Sequence, residues 1–191
     1  MAVRTTLGIL AGGLGTRLGG VDKAWLRREG VSQVERLVDR LSPGVDEVLV
    51  SANRNLEAYA AVGLATVPDA EPGLGPLGGL DALARACHGE WLLTAPVDLF
   101  NVNDCLLRRL VAKGGQGAYA VDADGPQPLV ALWHVPTLRP ALAAAIESRD
   151  LAVHRLQARL GMAALRLEGV RFGNLNTPRD LAEAGVELPH D

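Results

Sequence analysis

The chain has 191 residues, 48% hydrophobic, 21% charged and 4% aromatic, and 19 Lys and Arg against 22 Asp and Glu leave a formal net charge of −3. That length supports a single domain spanning 1–191, burying roughly 70% of the unfolded surface without disulfides or a structural metal. The mild acidity argues against nucleic acid or an anionic membrane as partner, since both call for concentrated positive charge.

The two cysteines, Cys87 and Cys105, lack the short spacing of a zinc or redox motif, which points to a reduced setting. No apolar run reaches the roughly 18 to 20 residues of a membrane span. Met1 to Ile9 lacks the order of a signal peptide, so the expected location is cytoplasmic.

In chain order, Thr6 to Ala11 is a short apolar run closed by Gly12 and Gly13, as a buried strand would be. Ser32 can cap a helix through Leu41, in which Val34, Leu37, Val38 and Leu41 recur at helical spacing. Glu47 to Ala52 reads as a strand, Asn55 to Val62 as a helix and Thr66 to Pro68 as extended chain. Pro76 to Cys87 reads as a helix, and Trp91 to Ala95 as another buried strand. Strands separated by helices imply right-handed crossovers and a mostly parallel sheet covered on both faces.

The pattern then changes. After a helix over Asp104 to Lys113, strands at Gly117 to Val121 and Leu129 to His134 flank an Asp124-Gly125-Pro126 turn, a small antiparallel excursion. Helices over Thr137 to Glu147 and Leu151 to Leu160 precede a strand near Ala164 to Leu167. A last helix begins at Thr177-Pro178-Arg179-Asp180, with a capping hydroxyl, a first-turn proline and an early acid. The fold class is α/β, with one doubly wound, Rossmann-like sheet.

The most informative stretch runs from Leu10 through Ala11, Gly12, Gly13, Gly15 and Arg17 to Lys23, directly after the first strand. Its glycines let backbone N–H groups approach a phosphate chain, and Arg17 and Lys23 supply counter-charge. The stretch breaks the Walker pattern, because Asp22 precedes Lys23 and neither Ser nor Thr follows it. It also breaks the dinucleotide fingerprint, with Leu18 at the third glycine. A glycine-rich surface loop with solvated charges is the plain alternative.

Asp98 ends an apolar strand, and in an open parallel sheet ligands collect beyond the carboxyl ends of strands. One hard carboxylate beside phosphates is a common way to hold Mg²⁺; a capping or turn aspartate is the plain alternative, and because Asp98 and the loop after the first strand should face the same crevice, that proximity tips the reading toward the metal. Asp69, in another loop after a strand, can accept guanine N–H groups, and Gly75, Gly78 and Gly79 permit a ring to pack flat on backbone. Asn174 and Asn176 precede a helix N-terminus, where they can hold a second ligand's phosphate or pterin-like edge. The serines and histidines lack the surroundings of a nucleophile elbow or a metal site.

Together, the Leu10 to Lys23 signature, Ala52-Asn53-Arg54, Asp69, Gly75-Pro76-Leu77 with Gly79, Pro96 with Asp98, and Asn174 with Asn176-Thr177-Pro178 resemble the MobA-type molybdenum cofactor guanylyltransferases. The likeness covers nearly the whole chain and implies a nucleotidyltransferase fold. It implies transfer of GMP from GTP to molybdopterin, giving the guanine dinucleotide cofactor and pyrophosphate, with Mg²⁺ required. Molybdoenzymes or other cofactor-biosynthesis proteins are the further partners it implies.

By the same resemblance, Leu10, Ala11, Gly12, Lys23, Asp69 and Asp98 contact the nucleotide, and Asp98 holds Mg²⁺; the residues themselves add Gly13 and Gly15 to the phosphate cradle and Gly78 to the base, and Ser51 can still hydrogen-bond the nucleotide with shorter reach. Arg17, Lys23 and Asp98 act in catalysis, while Asn174 and Asn176 bind the acceptor. Ser51 stands where the family has asparagine, Asp98-Leu99-Phe100-Asn101 lacks a family proline, and Gln127-Pro128 replaces a His-Pro pair. A related enzyme using CTP or another phosphorylated acceptor, and a catalytically weak carrier for molybdoenzymes, are the competing readings.

Overall fold

The computed structural model describes residues 4–12, 20–102 and 104–186. Strand β1 (Thr5–Leu10) is an interior strand of the sheet, with Leu7 and Ile9 fully buried. Helix α1 (Gln33–Leu41) follows a capping box, in which Ser32 and Glu35 each satisfy the other's backbone N–H. Next come β4 (Glu47–Ser51), α2 (Leu56–Ala61), β5 (Ala65–Val67), α3 (Pro76–Ala86) and β6 (Trp91–Pro96). Between β1 and α1 a short hairpin pairs β2 (Arg27–Arg28) with β3 (Val31–Ser32).

The second half comprises α4 (Leu106–Val111), β7 (Gly117–Asp122), β8 (Gly125–His134), α5 (Val135–Glu147), α6 (Val153–Arg159), β9 (Ala163–Arg166) and α7 (Pro178–Glu183). The seven-stranded sheet has the order β5-β4-β1-β6-β8-β7-β9. Strands β5, β4, β1 and β6 run parallel, β9 runs parallel to β7, and β8 is antiparallel to both β6 and β7.

Alternation along the strands splits the core into two layers. Leu7, Ile9, Val50, Leu93 and Ala95 face α1 and α4, whereas Leu49, Leu92, Ala131 and Trp133 face α3, α5 and α6. Gly8 brings α3 close: a Cβ there would lie 2.8 Å from Leu83 Cδ1. Trp133 Nε1 donates to Thr94 Oγ1 at 2.8 Å, so its one polar atom is satisfied in the core. No helix of the described residues is long and apolar enough to cross a membrane.

Three details differ from the sequence reading. The antiparallel segment is an integral sheet member, and its turn is Ala123-Asp124, with Gly125, Pro126 and Pro128 already in β8. Prolines fit there because β6 pairs with β8 only from Ala131 to His134, leaving the earlier residues edge-like on that side. A register shift between Tyr119 and Ala120 absorbs the extra length of β8. Helix α5 starts at Val135, ahead of Thr137, because Pro136 suits a first turn. The β2–β3 hairpin is absent from the sequence reading; its turn places Glu29 at φ 54° and Gly30 at φ 79°, a conformation that only the glycine signals.

Candidate active site

Four strands end in register on one rim. Val67 pairs with Ser51, Ser51 with Leu10, and Leu10 with Pro96, so the loops after β5, β4, β1 and β6 open side by side. The ladder continues past the strands: Ala11 N donates to Ser51 O at 2.9 Å, and Val97 N to Leu10 O at 3.0 Å. Leu10, Ala11 and Gly12 therefore leave the sheet between the Asp69 loop and the Asp98 turn. Gly13, Gly15 and Arg17 lie outside the described residues.

Lys23 opens a short 3-10 turn, Lys23–Trp25, that Asp22 caps by accepting from Ala24 N at 3.1 Å. The other Asp22 oxygen accepts from Asn55 Nδ2 at 2.9 Å and lies 3.7 Å from Arg54 Nε. Arg54 also donates to Gly20 O at 3.3 Å. The loop after β4 thus clamps the end of the glycine-rich stretch. The sequence shows Asp22 as a break in the Walker pattern and as part of the Leu10 to Lys23 signature, but not that it caps the Lys23 turn and meets Asn55 and Arg54.

The Lys23 ammonium donates to Asp98 Oδ2 at 2.9 Å and to Asn176 Oδ1 at 2.5 Å. Both side chains of the ion pair are largely buried, at 18% and 22% exposure. Asn176 reaches this point because Leu175 N donates to Asp98 O at 2.9 Å and Leu99 forms a bridge with Asn174. The Thr177–Asp180 capping box then starts α7 immediately behind it. Asn174 itself is exposed, on the same loop but away from the ion pair's hydrogen bonds. Gly173, at φ 65°, lies under the Phe100 ring, where a Cβ would come within 2.1 Å of Cε1.

A second cluster lies on the β4 and β5 side. Buried Ser51 donates to Asp69 Oδ1 at 3.3 Å, and Asp69 N donates to Asn53 Oδ1 at 2.9 Å. The start of α3 presses against both residues. A Cβ on Gly78 would stand 2.9 Å from Asp69 Oδ2, and one on Gly79 would stand 2.6 Å from Ser51 Oγ. The short Ser51 side chain leaves room for this approach. Lys23, Asp98 and Asn176 meet directly, and Ser51, Asp69 and Gly78 form a neighbouring group joined to them through the strand ends.

Among the described residues no three His, Cys, Asp or Glu side chains converge on a metal position. What the rim offers is a carboxylate and an amide oxygen, Asp98 and Asn176, already converging on a positive charge. That all-oxygen pair fits a hard cation such as Mg²⁺, which takes one or two carboxylates and draws its other ligands from water and phosphates.

Farther along the rim, Asp122 ends β7 and is buried. Burial alone would raise its pKa, but hydrogen bonds from Phe172 N, Gln127, Asp124 N and Gly125 N outweigh this and hold the carboxyl below its usual range. The Phe172 bond, at 2.9 Å, ties the Asn174–Asn176 loop to the sheet.

Residues 7–163 match the MobA-like NTP transferase domain. The molybdenum cofactor guanylyltransferase of Shewanella sp. (strain MR-4) is 33% identical over 195 residues, covering 98% of each chain. That of Vibrio parahaemolyticus is 32% identical over 187 residues, covering 95% of each. Among solved structures, molybdopterin-guanine dinucleotide biosynthesis protein A from Archaeoglobus fulgidus superposes with a TM-score of 0.74 at 23% identity, covering 94% of this chain and 96% of that one. The Thermus thermophilus 2-C-methyl-D-erythritol 4-phosphate cytidylyltransferase shares the fold at a TM-score of 0.69 and 19% identity, over 97% and 98% of the two chains. With the domain match running from β1 to the first residue of β9, and full-length relatives at this identity, the chain belongs to the MobA-like NTP transferase family.

Proposed function

We propose that this protein transfers GMP from GTP to molybdopterin, forming the guanine dinucleotide cofactor and pyrophosphate. The observation that carries the reading is the meeting of Lys23, the last residue of the glycine-rich sequence, with Asp98 and Asn176 at the strand ends. The name shared by the full-length relatives supports the choice of substrates.

In this reading the guanine edge donates to Asp69, whose other partner is Ser51, while Gly78 lets the ring approach the start of α3. Leu10, Ala11, Gly12, Gly13 and Gly15 bring backbone to the triphosphate, and Arg17 and Lys23 hold the β and γ phosphates that depart as pyrophosphate. Asn174 and Asn176 orient the acceptor. An ionised acceptor phosphate is already a nucleophile, so in-line attack on the α-phosphorus requires no histidine or serine base. Asp98, with the Asn176 oxygen beside it, would hold Mg²⁺, which supplies charge neutralisation at the phosphates.

The test is pyrophosphate release from GTP and molybdopterin in the presence of Mg²⁺, together with thermal-shift titrations against GTP, CTP, ATP and UTP. Release with GTP, and stabilisation by GTP above the other three, is the expected result. Preference for CTP would assign a different nucleotide, and binding without pyrophosphate release would assign a carrier.

A further inference from the structure

Gln33 opens α1 with its side chain buried, at 5% exposure, next to the apolar stripe of Val34, Leu37 and Leu41. A buried amide is costly unless its donors are used. Here Nε2 donates to Val97 O at 3.0 Å and to Leu99 O at 2.5 Å, the carbonyls on either side of Asp98. The carbonyl between them, Asp98 O, accepts from Leu175 N at 2.9 Å. Leu99 N closes the turn back to Pro96 O at 3.4 Å.

Three successive carbonyls are therefore fixed, two by one side chain. Val97 and Leu99 are buried, so without the amide their oxygens lose a partner where water is scarce. With the backbone held on both sides, the Asp98 carboxylate is directed at the Lys23 ammonium. Such support is what keeps a charged group at a turn tip in one geometry.

We propose that Gln33 is a positioning residue for Asp98, fixing the turn so that the carboxylate is held in the place from which it would bind Mg²⁺. The inference rests on the reading of Asp98 given above. It is tested by calorimetric binding of GTP without acceptor, in Mg²⁺ and in EDTA, for the wild type, Gln33→Met and Asp98→Asn. Loss of the two hydrogen bonds in Gln33→Met is expected to weaken binding in Mg²⁺ about tenfold and to change binding in EDTA by less than about twofold.

Unchanged affinity in Mg²⁺, or equal weakening in both conditions, overturns the proposal, the second outcome marking a merely structural role. If Asp98→Asn loses the Mg²⁺ dependence while Gln33→Met keeps it, the Gln33 inference alone falls. If Asp98→Asn binds as the wild type does in both conditions, the reading of Asp98 falls and takes the inference with it. Thermal melting reports the fold of each variant. Gln33→Asn, whose amide is one methylene short of the carbonyls, carries the same test should Gln33→Met fail to fold.

Discussion

Lys23 and Asp98 stand 75 residues apart in the chain, yet their charged atoms lie 2.9 Å from each other across the rim of the sheet. Each neutralises the other, and under the proposed function a triphosphate would take over the lysine. Lys23→Met and Asp98→Asn are each expected to slow pyrophosphate release on the order of 10²-fold, with melting temperatures shifted by only a few degrees. The double variant should lose less than the product of the two, since either single change already breaks the pair. Steady-state turnover of the three variants measures this.

Gly78 and Gly79 are adjacent on α3 but meet different neighbours, so their alanine variants should separate binding from stability. Gly79→Ala drives a methyl into buried Ser51 Oγ and Leu10 Cδ2, at 2.6 and 2.9 Å. It should destabilise by about 1–3 kcal/mol in denaturant melts. Gly78→Ala pushes against Asp69, a half-buried side chain that can rotate away. Its expected effect is roughly tenfold weaker GTP binding, with stability little changed.

Asp122 gives a pH signature. Its folded carboxyl titrates below the ordinary value of 3.8, held there by hydrogen bonds from Phe172 N, Gln127, Asp124 N and Gly125 N that outweigh the opposing effect of burial. A lowered folded pKa stabilises above the unfolded pKa, and that stability fades as pH falls through the folded value. Asp122→Ala should cost about 1–3 kcal/mol at neutral pH. Urea melts at successively lower pH should find the gap to the wild type closing only below about 3.8.

Tyr59 offers the opposite case. Its side chain is fully buried against Trp25, with ring centroids 4.9 Å apart, and among the described residues its hydroxyl has no hydrogen-bond partner. Burial, and then the Asp22 charge, push its pKa well above the usual phenol range. Tyr59→Phe removes an unsatisfied polar atom without opening a large cavity, and is expected to raise stability by up to about 1 kcal/mol. A thermal melt of the variant checks it.

What could be read from the sequence was local. Ser32 and Thr177 announce their helices because each capping box is completed within three residues. Leu7 and Ile9 announce β1 because a buried strand needs apolar side chains. Lys23 and Asp98 were legible as chemistry facing one crevice beyond the strand ends, but their direct ion pair was not, since it depends on how β1 and β6 pair. Gln33 was illegible for the same reason: a polar residue at a helix start looks solvated until the turn across from it is known. The β2–β3 hairpin escaped because two residues per strand leave no period to detect.

The reversed direction of β8 has a consequence for how such a protein can change over time. Because β8 alone descends, the Ala123-Asp124 turn joins it to β7 on the rim where the other strands finish, at the end away from Asp69. Extra residues inserted there would build outward beside the Asn174–Asn176 loop, which Phe172 and Arg171 tie to that turn, and leave the Ser51 and Asp69 pair untouched. Under the proposed function, one side of the cleft could thus be remodelled for a new recipient of the nucleotide while the other keeps its grip on the donor.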